Sequence, residues 1–437
     1  MKLLLEFLPD EKLLAALRLH RFKGRNDYKI AALWRVHMIR YFLRHPTMES
    51  CLAELRRNAA LRELALITSL AKVPKPWNMS RFEEVLGAPE HQPLLREMFE
   101  LLIQRLGSVV PEMGRHVAGD SSCLSARADN KDACLEDKRL PQPTGGRKEY
   151  RDDDDNVSKV YEWFGYKFHL LVDVRYEVIV GWQITSATAS DVGQIPELVR
   201  QAQGNLPAGR METLAYDKAA DDIGIHSLLH QQRIKPVVEN RRMWREESER
   251  MLPGHDGTSN IVYDEAGTIF CYDKVSQPPV KRKMAYTGYE QSRGTLKYRC
   301  PAMHQGWKCP MAHICNKNKS YGKTVRVKQE IDLRRFPPIP RGTQEFERRY
   351  KGRSAVERVN ARCKLFWGAD DGNVTGARRF HAHLATIMVV HATLATALAS
   401  APRHVGKSLS PVRLSRIALA LRSPQGPPRK PGVLSAA

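Results

Sequence analysis

Between residues 11 and 106 apolar positions recur at intervals of three and four, the repeat of one face of a helix with 3.6 residues per turn. "EKLLAALRLHRF", "YKIAALWRVHMIRYFLR", "MESCLAELRRNAALRELALI" and "PLLREMFELLIQRL" each carry it. Thr47 stands where an N-cap belongs, and Ser80 with Glu83 has capping-box spacing for a short helix ending near Gly87. After Gly114 the repeat changes to alternation, which predicts strands. "RHVAGDSS" predicts a short strand ending in Asp120, "YKFHLLVDV" and "YEVIVGWQITS" a hairpin turning at Arg175, and "METLAYDKA" a strand ending in Asp217. The helical stretches "DVGQIPELVRQAQ" and "IGIHSLLHQQ" flank that last strand, and "IKPVVE" follows as another strand. Strand, hairpin, helix, strand, helix, strand is the order of an α/β fold, a mixed sheet with helices on its faces.

Two stretches break the pattern. Residues 131–158, with "PQPTGG" and four aspartates at 152–155, predict a solvated loop without a core of its own. Residues 240–345, basic and rich in Pro, Gly, Cys and Tyr, predict an irregular insertion. Beyond it, "YKGRSAVERVNARCK" from Tyr350 to Lys364 predicts one helix. At about 100° per residue, Tyr350, Arg353, Glu357 and Lys364 fall within an arc of roughly 60°. Ala355, Val356, Val359, Cys363 and Phe366 form an apolar stripe on the other side. A solvated polar face is the plain alternative for the first four. The uncharged run from Leu384 to Ala401 approaches bilayer length, but Thr386, His391, Thr393 and Thr396 within it predict a buried core helix and no membrane span.

A chain of 437 residues with 42% hydrophobic composition is long enough for two or three cores. Lys and Arg number 70 against 48 acids, a net charge of +22, which favours polyanionic partners such as nucleic acid. Residues 1–45 alone carry ten Lys or Arg against four acids. Glu6, Asp10 and Glu11 interrupt the apolar N-terminal run too early for a secretory signal, so a cytoplasmic protein is expected, with its eight cysteines reduced. Cys271, Cys300, Cys309 and Cys315, with His304 and His313 nearby, lack any C-x-x-C pair; reduced structural thiols are the expectation and a structural Zn²⁺ the alternative. "VGKS" at 405–408 lacks the first glycine of a phosphate loop, so ATP is not implied.

Asp120 and Asp217 each stand at a predicted strand end, where α/β sheets often place their sites, although aspartates also begin turns and cap helices. With Glu357 on a docked helix, three converging carboxylates repel one another unless cations neutralise them. Two Mg²⁺ suit such a set, one activating a water or hydroxyl and the other stabilising the leaving oxygen of a phosphodiester; Mn²⁺ can substitute. Arg353 and Lys364 would then hold DNA phosphates, with Tyr350 stacking or hydrogen-bonding beside them.

The Tyr, two residues, Arg, three residues, Glu, six residues, Lys spacing resembles the signature of bacterial insertion-sequence transposases with Asp-Asp-Glu active sites. "GDSSCLSA" is similar to the first-aspartate strand of that family, "GYKFHLLVDVRYEVIVGWQITSATASD" to the hairpin after it, and "LAYDKAADD" to the second-aspartate strand. "RHPTMESCLAELRRNAALREL" and "VPKPWNMSRFEEVL" resemble its helical N-terminal region, so the likeness spans roughly residues 30 to 400. Relatives commonly have a Gly after the second aspartate where this chain has "DKAADD", which leaves Asp221 and Asp222 as competitors for the metal role, with Asp173 a further one. Their "HD" after the hairpin is here Ser190 and Asp191.

The resemblance implies a ribonuclease-H-like core with Asp120, Asp217 and Glu357 as the metal-binding triad. It implies a bacterial cytoplasmic enzyme that cuts DNA at inverted-repeat ends and joins the 3′-hydroxyl to target DNA, as a homodimer on DNA. A nuclease of the same fold and a catalytically inactive DNA-binding descendant are the alternatives. The expected division is 1–108 helical, for DNA binding or dimerisation; 109–239 the first part of the core; 240–345 the Cys-containing insertion; 346–400 the C-terminal core helices; and 401–437 a disordered basic tail.

Overall fold

The helical repeats of the N-terminal region fold into α1 (Lys2–Glu6), α2 (Glu11–Arg21), α3 (Ile30–Phe42), α4 (Met48–Arg57), α5 (Ala59–Leu64), α6 (Pro76–Leu86) and α7 (Gln92–Val109). The structure, a computed structural model, describes residues 1–22, 26–127, 139–151, 156–245, 247–253, 260–316, 320–371 and 374–400. The four aspartates at 152–155, Cys134 and the basic tail from residue 401 therefore lie outside the described residues. Two units divide the chain: residues 1–111, 176–178 and 360 onward form one, and residues 112–175 and 179–359 the other.

Thr47 caps α4 as its local sequence predicts, accepting from the Ser50 N–H at 3.1 Å. The predicted helix that follows is broken at Asn58, whose side chain caps α5 through the Leu61 N–H. The expected Ser80–Glu83 capping box does not form. Pro76 at the first helical turn starts α6 earlier, Asn78 accepts from the Lys75 N–H, and Glu83 turns inward to His37 at 3.2 Å and Arg40 at 3.3 Å.

The other unit is built on a mixed sheet. Its strands are β1 (His116–Ser125), β2 (Thr144–Arg151), β3 (Val157–Asp173), β4 (Ile179–Ser186), β5 (Thr213–Tyr216) and β6 (Lys235–Val238), with α8 (Asp191–Asn205) and α9 (Ile223–Gln231) between the later ones. β4, β3, β1, β5 and β6 lie side by side; β1, β5 and β6 are parallel, and β3 is antiparallel to both its neighbours. β1 does not stop at Asp120. It continues to Ser125 because β3 is long enough to pair with it up to Ser125–Gly165. Part of the predicted 131–158 loop is also strand, since β2 pairs with the first half of β3 from Thr144–Gly165 onward.

The insertion is not irregular. It contains β7 (Glu249–Met251), β8 (Ile261–Asp264), β9 (Ile269–Asp273), β10 (Val280–Lys283), β11 (Ala285–Glu290), β12 (Thr295–Arg299), short helices α10 (Pro301–Gln305) and α11 (Ala312–Asn316), and β13 (Thr324–Lys328). β10-β9-β8-β7 and β11-β12-β13 are two antiparallel sheets that share a core of Leu252, Ile261, Ile269, Leu296, Val325, Val327 and Phe336. The strands are only three to six residues long, too short for a period to stand out.

The predicted Tyr350–Lys364 helix is two helices, α12 (Gln344–Lys351) and α13 (Ser354–Trp367). Between them the hydrogen bonds run from i+3 to i: Arg353 N–H to the Tyr350 carbonyl, Ala355 to Gly352 and Val356 to Arg353. α14 (Ala377–Ser400) packs on α7, α6 and α3 within the helical unit, and the window of α14 that is apolar enough to cross a membrane is 89% buried.

Candidate active site

Three parallel strands set out the site. β1 and β5 are in register at Val117–Leu214 and Ala118–Ala215, and β5 and β6 at Ala215–Val237 and Tyr216–Val238. Side chains alternate between faces along a strand, so Ala118, Ala215 and Val237 point one way together, and two residues on Asp120, Asp217 and Glu239 continue the same face. Neighbouring strands are about 4.8 Å apart, which sets the three carboxyl-bearing residues side by side at the C-terminal end of the sheet. Ala118, Ala215 and Val237 pack with Ile339 and Phe346, and Val174 and Tyr350 join that cluster. α12 thus covers the apolar part of the face and leaves the acidic end beyond it.

Gly119, between Ala118 and Asp120, faces the other side. A Cβ there would lie 2.2 Å from the Tyr216 ring and 2.7 Å from Leu171. The absence of a side chain leaves room for the buried Tyr216 ring. Gly352 plays a similar part in the turn between α12 and α13, where a Cβ would stand 2.6 Å from Val174 Cγ1.

That turn delivers Arg353 to the acids. One guanidinium nitrogen lies 3.3 Å from Asp120 Oδ2 and the other 3.1 Å from Glu357 Oε1, while the group sits 5.9 Å from the centre of the Tyr350 ring. Burial pushes the Asp120 pKa up to about 6; Arg353 opposes this and the charge of Asp217 adds to it. Asp217 accepts the Ala219 N–H at 3.0 Å. The Tyr350 hydroxyl donates to Glu239 at 2.9 Å, and burial first, then this bond, pushes its pKa up to about 12.

The competing acids are engaged in structural roles. Asp221 is buried, and its oxygens accept from Arg334 Nε and Arg341 at 2.8 Å each, from the Arg241 N–H at 2.8 Å, and meet His226 at 3.1 Å. Asp222 caps α9 through the Gly224 and Ile225 N–H groups. Asp173 is buried and accepts the Gly114 N–H at 2.7 Å. Asp191, of the Ser-Asp pair after the hairpin, accepts from Ser121 at 3.0 Å and Lys167 at 3.1 Å.

The structure therefore brings Asp120, Asp217, Glu357, Arg353 and Tyr350 together. Lys364, on the part of α13 that belongs to the helical unit, is paired with Asp370 at 3.1 Å. The family model for the transposase DDE domain matches residues 120–392, more than half of the chain.

The chain belongs to the transposase DDE-domain family. No curated protein matches it. In this transposase-family chain the match begins at Asp120 itself and takes in Asp217, Arg353 and Glu357. Glu239, third in the row of acids, is not among the residues that the sequence reading singled out. Its signal was there: it closes "IKPVVE", the same strand-end position that singled out the two aspartates.

All three expected metal ligands offer hard carboxylate oxygens, the donors that Mg²⁺ and Mn²⁺ prefer, and the guanidinium joining two of them marks a place where positive charge is accommodated. As they stand they are spanned by Arg353 and not gathered on a point: among the described residues no three His, Cys, Asp or Glu side chains are grouped closely enough to hold an ion. Cys271, Cys300, Cys309 and Cys315 are free thiols, and burial with the neighbouring cysteines pushes Cys271 up to about 12.

Proposed function

We propose that this chain is a DNA transposase that hydrolyses a phosphodiester at each end of its element and transfers the freed 3′-hydroxyl into target DNA. The observation that carries the reading is the row of Asp120 and Asp217 on adjacent parallel strands, with Glu357 joined to Asp120 through Arg353. The sheet order, with β1 in the centre, β3 antiparallel to it and to β4 on one side, and β5 and β6 parallel to it on the other, supports a ribonuclease-H-like core.

Asp120, Asp217 and Glu357 would hold Mg²⁺ or Mn²⁺, which when bound supplies Lewis-acid activation of the attacking oxygen and charge stabilisation at the leaving oxygen. Arg353, once released from Asp120 and Glu357, holds a DNA phosphate through paired N–H donors. Lys364 adds a further phosphate contact along the same helix, and the net charge of +22 draws DNA to the protein. Joining two element ends calls for two copies of the chain, so the working form is a homodimer on DNA, in the bacterial cytoplasm.

The test is cleavage of a plasmid carrying the gene's native flanks, in Mg²⁺, Mn²⁺ or EDTA, by the wild type and Glu357→Gln. Metal-dependent breaks at the flanks that disappear in the variant are expected. Binding of the flanks without cutting in any metal would replace this reading with that of a DNA-binding descendant, and cutting without joining with that of a nuclease.

A further inference from the structure

Tyr350 belongs to the motif that leads to the active site, and its hydroxyl and ring are both engaged within the protein. It donates to Glu239 at 2.9 Å, and its ring stacks on Phe346 with centroids 5.8 Å apart and planes 8° from parallel. The ring also joins the cluster of Ala118, Ala215 and Val237 on the sheet. Two residues later comes the Gly352–Arg353 turn, in which the Arg353 N–H donates to the Tyr350 carbonyl. Tyr350 is therefore the last point at which α12 is tied to the sheet before the chain turns to present Arg353 and Glu357 to Asp120.

Glu239 is the acid at the end of β6, in line with Asp217 at the end of β5. A carboxylate in that row could act on a cation directly, but one of its oxygens is taken by the phenol, which anchors the tyrosine from the sheet side. We propose that Glu239 and Tyr350 are a positioning pair, in which Glu239 holds the Tyr350 hydroxyl and so fixes the turn that sets Arg353 and Glu357 against Asp120. The inference rests on the active-site reading above. It assigns Glu239 a role in the reaction and makes Tyr350 a positioning residue.

The experiment uses the full chain and duplex DNA from the gene's native flanks. Single-turnover cleavage in Mg²⁺ and DNA affinity in EDTA are measured for wild type, Glu239→Gln, Glu239→Ala, Tyr350→Phe and the Glu239→Ala/Tyr350→Phe double variant, with thermal unfolding of each as the control for folding. Glu239 is exposed and Tyr350→Phe keeps the ring, so all should fold. Glu239→Ala and Tyr350→Phe should each slow cleavage about tenfold at saturating DNA with affinity within about twofold of wild type, and the double variant should be no slower than either. Glu239→Gln, whose amide oxygen still accepts from the phenol, should cut within about threefold of wild type.

Weakened DNA affinity with an unchanged saturated rate in Tyr350→Phe would return Tyr350 to the DNA contacts and overturn the pair. So would a Glu239→Gln variant as slow as Glu239→Ala, which would make the charge itself the active feature, or rate losses that multiply in the double variant. If the variants match a wild type that cuts, the pair has no role while the transposase reading stands. A well-folded wild type that cuts no flank DNA sinks that reading, and the positioning role with it.

Discussion

The guanidinium of Arg353 joins Asp120 to Glu357, at 3.3 Å from one carboxylate and 3.1 Å from the other. A residue expected to face DNA phosphate thus sits among the groups expected to face the metal. Both are physically consistent, because one positive charge is needed between those carboxylates and a divalent cation supplies more of it than an arginine.

This relationship predicts that metal and Arg353 compete for the carboxylates. Arg353→Gln should bind Mn²⁺ at least about threefold more tightly than the wild type in an EPR titration without DNA, since no charged side chain must be displaced. The same variant should bind flank DNA more weakly. An Mn²⁺ affinity that is unchanged or lower would mean that the arginine does not compete for the site.

Asp221 governs stability. Burial alone would raise its pKa, but His226, Arg341, the Arg241 N–H and Arg334 together hold it down at about 2, against 3.8 for an ordinary aspartate. Asp221→Ala leaves Arg334 and Arg341, both buried, without their shared counter-charge, and should cost about 3–5 kcal/mol. Because the folded value is the lower one, the contribution of roughly 2 kcal/mol is present above about pH 4 and disappears as pH falls toward 2. Urea unfolding between pH 5 and pH 2 checks this: the Asp221→Asn variant should lack that part of the acid dependence. An identical pH slope in both proteins would remove Asp221 as its source.

Gly352 fixes the α12–α13 turn by close approach. In an ordinary helix Ala in place of Gly gains about 1 kcal/mol, whereas here the new Cβ would meet Val174 Cγ1 at 2.6 Å and the Arg349 carbonyl oxygen at 2.9 Å. The clash should win, so Gly352→Ala is expected to lose about 1–3 kcal/mol in urea unfolding, with part restored by Val174→Ala. Cleavage should slow as well, because the turn aims Arg353. A Gly352→Ala protein as stable and active as wild type would show that the turn yields without cost.

What could be read from sequence is what depends on neighbours along the chain. Thr47 caps α4 through a residue three positions away, and the alternation of "YKFHLLVDV" and "YEVIVGWQITS" makes β3 and β4 whatever lies beyond. Local rules also mislead where two of them compete. Ser80 and Glu83 fit a cap, but Pro76 begins the helix sooner and Glu83 is drawn to His37 and Arg40. A polar face spaced three and four along "YKGRSAVERVNARCK" looks the same whether or not the hydrogen bonds tighten to i+3 at Gly352, so periodicity did not reveal the break.

Read along the chain alone, the residues established most element types outside 240–345, the basic charge and two of the three acids in the row. Where each acid lies and which groups engage it came only from folding. Asp120, Asp217 and Glu239 fall in one row because parallel strands pair in a register that no stretch of sequence encodes alone. Asp221, four residues from Asp217, is withdrawn from the surface by Arg334 and Arg341, distant in the chain and brought to it by folding. An aspartate's chemistry depends on which cations and donors surround it, and those neighbours are assembled by contacts far apart in sequence.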